Sequence, residues 1–198
     1  FRQPFRLGEH ELFVTTSVGV SLFPRDGEDE ESLIKNADIA MYRAKEQGSN
    51  SYQIYSPEFG TRFRQRLTLE ADLRKALERN ELLLHYQPKI DVNSRRITGI
   101  EALLRWQHPT RGLVPPDQFI PVAEETGLIV PLGQWVFRRV CEQARRWREE
   151  CRATIRIGVN VSGKQIREPG MVEMVRQALE ESGVAPTQVE LEITESTI

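Results

Sequence analysis

The chain has 198 residues, 39% of them hydrophobic and 28% charged, with a formal net charge of -2. That balance argues against a disordered tail and gives no electrostatic case for a nucleic-acid polymer or an anionic membrane surface. No apolar run reaches the ~18 residues of a membrane span, and Cys141 and Cys151 form neither a disulfide framework nor a metal-binding spacing, which points to a reducing, cytoplasmic setting. Because the first residue is Phe1 and not Met, the chain is expected to continue upstream, where any sensor or membrane anchor would lie.

Residues 11–23 are rich in β-branched and aromatic residues and predict a strand, closed by the turn Pro24-Arg25-Asp26-Gly27. Residues 30–47 have a helical period, with Leu33, Ile34, Ala37, Ala40, Met41 and Ala44 as one apolar stripe and Gly48 as the stop. A short edge strand is expected over 51–55. Residues 56–80 predict a connecting helix on which Phe59, Phe63, Leu67, Leu73 and Leu77 recur. Arginines 62, 64 and 66 there, like Arg138, Arg139, Arg145, Arg146 and Arg148 further on, read as solvated helix faces.

A different rhythm begins at Leu82. Segments 82–92 and 97–105 are strand-like, and the four residues between them suit an antiparallel hairpin. Pro115-Pro116-Asp117 starts a short helix ending near Glu125. Residues 131–150 form an amphipathic helix with Trp135, Val136, Val140, Cys141, Ala144 and Trp147 inward. A strand over 155–161, a helix over 164–182 and a strand over 189–193 complete the order. From residue 97 onward this alternation is that of a parallel α/β sheet.

Strand parity puts Arg156, Gly158, Asn160 and Ser162 on one face, and Glu190, Glu192 and Thr194 likewise on one face. Glu101, Asn160 and Glu192 are expected near the C-terminal ends of their strands, where (β/α) barrels build active sites. Two carboxylates and an amide oxygen suit a hard cation such as Mg²⁺ or Mn²⁺. The same residues taken singly also fit surface carboxylates and, for Asn160, a helix cap.

Several blocks carry a resemblance. Tyr86-Gln87-Pro88-Lys89, Glu101-Ala102-Leu103-Leu104-Arg105-Trp106, the segment Gly112 to Glu124, Val159-Asn160-Val161-Ser162 and Leu191-Glu192-Ile193-Thr194-Glu195-Ser196 occur in the order of the EAL family. Thr16 to Ser21, Ala37 to Lys45 and Gly48-Ser49-Asn50 resemble the end of a GGDEF domain, the diguanylate cyclase fold. The chain thus looks like a tandem GGDEF–EAL cyclic di-GMP signalling protein. It divides into a GGDEF-like end over 1–55, a connecting helix over 56–80 and the first half of an EAL domain over 81–198. The implied fold is α/β: a partial TIM-like barrel with an antiparallel first strand, behind the end of an α/β domain.

The resemblance implies a phosphodiesterase that opens cyclic di-GMP to pGpG with two divalent cations, Mg²⁺ or Mn²⁺. It puts Glu101, Asn160 and Glu192 on metal-ligand positions, with Glu101 and Glu195 as catalytic carboxylates and Glu195 away from direct metal contact. Gln87, Leu104 and Arg105 fall on substrate-touching positions, and Lys45 on a position near nucleotide phosphates in the GGDEF part. Residues 1–198 alone are expected not to turn over substrate, since a complete barrel needs ~250 residues. The competing reading is a degenerate EAL domain that binds cyclic di-GMP as a receptor. Homodimerisation through the EAL part or the connecting helix is compatible with both.

Overall fold

A computed structural model of the chain describes residues 4–48, 50–151 and 154–193. The chain forms two units, Phe1–Thr68 and Leu69–Ile198. The first holds the antiparallel pair β1 (Phe5–Leu7) and β2 (His10–Leu12), then β3 (Val18–Val20), α1 (Glu30–Glu46) and β4 (Tyr52–Ile54). Helix α2 (Pro57–Ala76) begins in the first unit and ends in the second.

The single strand expected over 11–23 is two short ones. β2 pairs with β1 around Gly8, whose φ of 64° makes the turn, whereas β3 pairs in parallel with β4. Residues 13–17 between them belong to neither strand. Asp29 caps α1 by accepting from the Ser32 amide, and Glu30 and Glu31 complement the helix dipole. The buried residues of α1 are Ile39, Ala40 and Ala44, while Ile34, assigned to the apolar stripe, is exposed. The inward face is set by β3: a Cβ on Gly19 would meet the Ala37 carbonyl and the Met41 amide, so strand and helix touch backbone to backbone.

The second unit is built on β5 (Leu82–Ile90), β6 (Ile97–His108), β7 (Gly112–Val114), β8 (Ile157–Val161) and β9 (Val189–Ile193). Its order is β5-β6-β8-β9, with β7 paired only to β6. β5–β6 and β6–β7 are antiparallel, and β6–β8 and β8–β9 are parallel. This is an open α/β sheet: a partial barrel whose first strand is antiparallel. β7 was not anticipated. It returns over the end of β6 through a turn in which His108 Nδ1 accepts from the amides of Thr110 and Arg111.

Helices α3 (Pro116–Thr126), α4 (Ile129–Cys151), α5 (Gly163–Ile166) and α6 (Met171–Ser182) follow the strands. The helix expected over 164–182 is broken in two. Pro169 lacks an amide hydrogen and disfavours helical geometry at Glu168, so the chain restarts at Met171. α2 also stops short of residue 80. Asn80, at φ 55°, takes the left-handed conformation Asn tolerates and turns the chain into β5.

One face of the sheet is packed. Ile100, Ala102, Ile157 and Val159 meet Val136, Phe137 and Val140 of α4. A second cluster joins Leu69, Leu73 and Ala76 of α2 to Trp106 and Phe119. Leu67, assigned to the apolar face of α2, is exposed, and Leu69 is buried instead. Among the described residues no helix is long and apolar enough to cross a membrane.

Candidate functional site

The reverse face of the sheet carries the polar residues. Register fixes this without reference to side chains: Gln87 is opposite Glu101, Glu101 is opposite Gly158, and Gly158 is opposite Glu190. Two residues further along, Asn160 is opposite Glu192. Because strand side chains alternate, Gln87, Lys89, Glu101, Asn160, Glu190 and Glu192 all lie on one face.

The side chains connect across strands. Asn160 Nδ2 donates to Glu101 Oε1 at 2.6 Å. Lys89 Nζ donates to Glu192 Oε1 and stands 3.5 Å from Glu190 Oε2. The hydrogen bond to Glu192, above all, raises the Lys89 pKa, so its ammonium is held charged. Gly158 makes room for this pair: a Cβ there would meet both Glu192 Oε1 and Lys89 Nζ.

Glu101 is not at the end of its strand as expected. It is the fifth of twelve residues in β6, because β6 runs on to pair with β7. It does lie next to the last parallel pair with β8, Ala102 and Val159, which restores its place beside Asn160. Arg105 is two pairs further along the same face, half-buried, with its guanidinium donating to the Leu104 carbonyl at 2.8 Å. The Leu104 side chain points the other way, into both apolar clusters, so only its backbone is available to a ligand on the carboxylate face. A cavity of about 380 Å³ between the sheet and helices α3 and α4 is lined by Ala102, Leu104, Ile120, Leu132 and Val136, with Arg105, Asn160 and Ser162 also in its wall.

The structure therefore brings together Gln87, Glu101, Arg105, Asn160 and Glu192. Glu195 lies outside the described residues. Lys45 is exposed in the last turn of α1, in the other unit. Lys89, Gly158 and Glu190 were overlooked as site residues. Each is two positions from a residue already singled out, so strand parity gives its face but not its partner.

Among the described residues no three His, Cys, Asp or Glu side chains converge as a metal centre. The set at hand is two carboxylates and an amide, all hard oxygen donors, and each carboxylate is met by a protein N–H group. Its chemistry fits a divalent cation of the Mg²⁺ or Mn²⁺ kind.

Residues 70–198 match the family model "EAL domain". The chain belongs to the EAL domain family. Residues 1–51 match the model "Diguanylate cyclase, GGDEF domain". A bifunctional diguanylate cyclase/cyclic di-GMP phosphodiesterase of Pseudomonas aeruginosa, MucR, is 45% identical over 195 residues, 98% of this chain and 28% of that protein. The cyclic di-GMP phosphodiesterase PdeR of Escherichia coli is 42% identical over 197 residues, 100% of this chain to the nearest per cent and 30% of that protein. The chain thus spans less than a third of the length of these two relatives. Among solved structures, the PaMucR phosphodiesterase in complex with c-di-GMP superposes with a TM-score of 0.63 at 48% identity, over 66% of this chain and 53% of that one. The FimX EAL domain from Pseudomonas aeruginosa bound to c-di-GMP gives 0.57 at 27% identity, over 65% of this chain and 51% of that one.

Proposed function

We propose that the EAL domain of this protein is a metal-dependent phosphodiesterase that hydrolyses cyclic di-GMP to pGpG. The observation that carries this reading is the single sheet face on which Glu101, Asn160 and Glu192 converge, within a chain 45% identical to a phosphodiesterase-bearing relative. In this reading residues 1–55 are the end of a GGDEF domain, 56–80 a connecting helix and 81–198 EAL sequence.

Glu101, Asn160 and Glu192 would hold the cations. Cations in such a site supply Lewis-acid activation of water and neutralise charge at phosphorus. The chain's own residues do the rest. The Arg105 guanidinium offers a planar fork of donors to a phosphodiester oxygen. Gln87, opposite Glu101 on the edge strand, offers an amide to the nucleotide. Glu195 is assigned to positioning the site, and Lys45 to a phosphate contact in the GGDEF part.

Water adds to one phosphorus, one ester P–O bond breaks, and the ring opens to the linear dinucleotide. The test is pGpG formation by the complete protein with Mg²⁺ or Mn²⁺, beside Glu101→Ala. The expected loss is about 10³-fold or more, the worth of several kcal/mol of charge stabilisation. A complete protein that binds cyclic di-GMP but yields no pGpG with either ion would be a receptor, and the catalytic reading would fall.

A further inference from the structure

Lys89 has no assigned role, yet it makes the longest-range ion pair of the carboxylate face. It lies on β5, while Glu192 lies on β9, with β6 and β8 between them. On a flat sheet the two strands would be roughly 14 Å apart, at ~4.8 Å per step. A lysine side chain does not reach that far. The bond therefore requires a sheet curled concave on this face and a clear path across the middle strands. Glycine clears the path: Gly99 is directly opposite Lys89, and a Cβ on Gly158 would meet both partners.

The two carboxylates are each satisfied by nitrogen. Asn160 presents its amide N–H to Glu101, which leaves its oxygen turned from that carboxylate, and Lys89 presents its ammonium to Glu192 and Glu190. Like charges gathered on one face repel, and a fixed ammonium offsets that repulsion. A cation entering between Glu101 and Glu192 must share the Glu192 carboxylate, whose Oε1 Lys89 holds.

We propose that Lys89 is a resident counter-cation: its ammonium holds Glu192 while no divalent ion is bound and must be displaced when one binds, so Lys89 sets the metal affinity of the site. This rests on the metal-site reading given above. Lys89 is a positioning residue for Glu192, and its charge competes with the metal for the same carboxylate.

The experiment is calorimetric titration of Mn²⁺ into the complete protein, without nucleotide, for wild type, Lys89→Met and Lys89→Arg. Lys89→Met keeps the apolar stem and removes the charge. It is expected to bind Mn²⁺ about five- to tenfold more tightly, the worth of a part-exposed ion pair of ~1 kcal/mol. Lys89→Arg, which keeps the charge, stays near wild type. Thermal unfolding gives a second readout: in EDTA Lys89→Met melts below wild type, and Mn²⁺ raises its midpoint by more. Lys89→Gln replaces the Met variant if that one fails to fold.

Wild type that binds no Mn²⁺ would defeat the metal-site reading and this proposal together. Wild type that binds it, with the uncharged variants binding equally or more weakly, would overturn the proposal alone.

Discussion

The two units of this chain differ in how many large apolar side chains they bury completely. In the first, Leu7, Phe13 and Phe23 are mostly exposed, and α1 buries only Ile39, Ala40 and Ala44. In the second, Trp106, Phe119, Phe137 and Leu132 are almost wholly buried. The difference bears on function. Glu101, Asn160 and Glu192 project from a sheet whose other face is packed against α4, so their strands are held from behind. Lys45 stands on a helix backed by a few small side chains. A constellation needs a rigid scaffold to keep its geometry, and the packed face of the second unit's sheet supplies one.

The sharpest way to break this comparison is Trp106→Ala. Trp106 is fully buried, stacks edge-on against Phe119 at 5.7 Å and donates to Glu81 Oε2 at 3.0 Å. Its loss should lower the stability of the second unit by about 3–5 kcal/mol. All three tryptophans, Trp106, Trp135 and Trp147, belong to that unit, so the fluorescence of the remaining two reports it selectively in a urea titration. A loss below ~1 kcal/mol would mean the second core is no better packed than the first.

Glycine-to-alanine changes sharpen the contrast at the next level. At Gly19 the added Cβ runs into the backbone of α1, which cannot step aside, and a cost of about 1–3 kcal/mol is expected in the first unit. Amide hydrogen exchange across α1 is the readout, since that unit has no tryptophan. At Gly158 the atoms nearest the added Cβ are the ends of Lys89 and Glu192, which can swing away. Gly158→Ala should therefore cost less stability than Gly19→Ala while separating the ion pair. Equal costs would show that the Lys89–Glu192 pair is as fixed as backbone.

Much of the second unit was legible in the sequence because its periods are long and uninterrupted. The hairpin of 82–105, helix α4 and strand β9 follow directly from alternation and amphipathicity. What escaped depended on pairing. β7 is three residues whose only partner is the end of β6, and residues 13–17, inside the segment expected as one strand, lie outside both strand pairs. The candidate site was legible as Glu101, Asn160 and Glu192 through strand parity, which puts them on one sheet face as the register does. Lys89 was missed because its partner lies two intervening strands away, a proximity that only the curl of the sheet creates.

Alkaline pH gives a smaller test of the second unit. Tyr86 packs edge-on against Trp147 at 4.9 Å, and burial pushes its hydroxyl from 10.0 up to about 12. Its folded form holds the proton over a range in which the unfolded chain has released it. The stabilisation is therefore complete below pH 10 and lost as pH rises toward about 12. Between those limits the wild-type unfolding midpoint should fall more than that of Tyr86→Phe, which has no phenolic proton to lose. Parallel slopes would place Tyr86 in water and loosen the fit of α4 on β5.

The smallest effect is expected where the sequence looks most hydrophobic. Phe13 follows β2 in a segment rich in valine and threonine, the kind of residue a sequence reading puts in a core. It is 80% exposed, and it lies between β2 and β3, outside both strand pairs. A side chain already in water has little transfer energy to lose, so Phe13→Ser should change the stability of the first unit by no more than ~0.5 kcal/mol. Hydrogen exchange of the β3 and β4 amides measures it. A loss of ~2 kcal/mol or more would be the signature of a buried aromatic. It would mean that Phe13 is covered by protein and that the first unit owes its fold to apolar contacts beyond Ile39, Ala40 and Ala44.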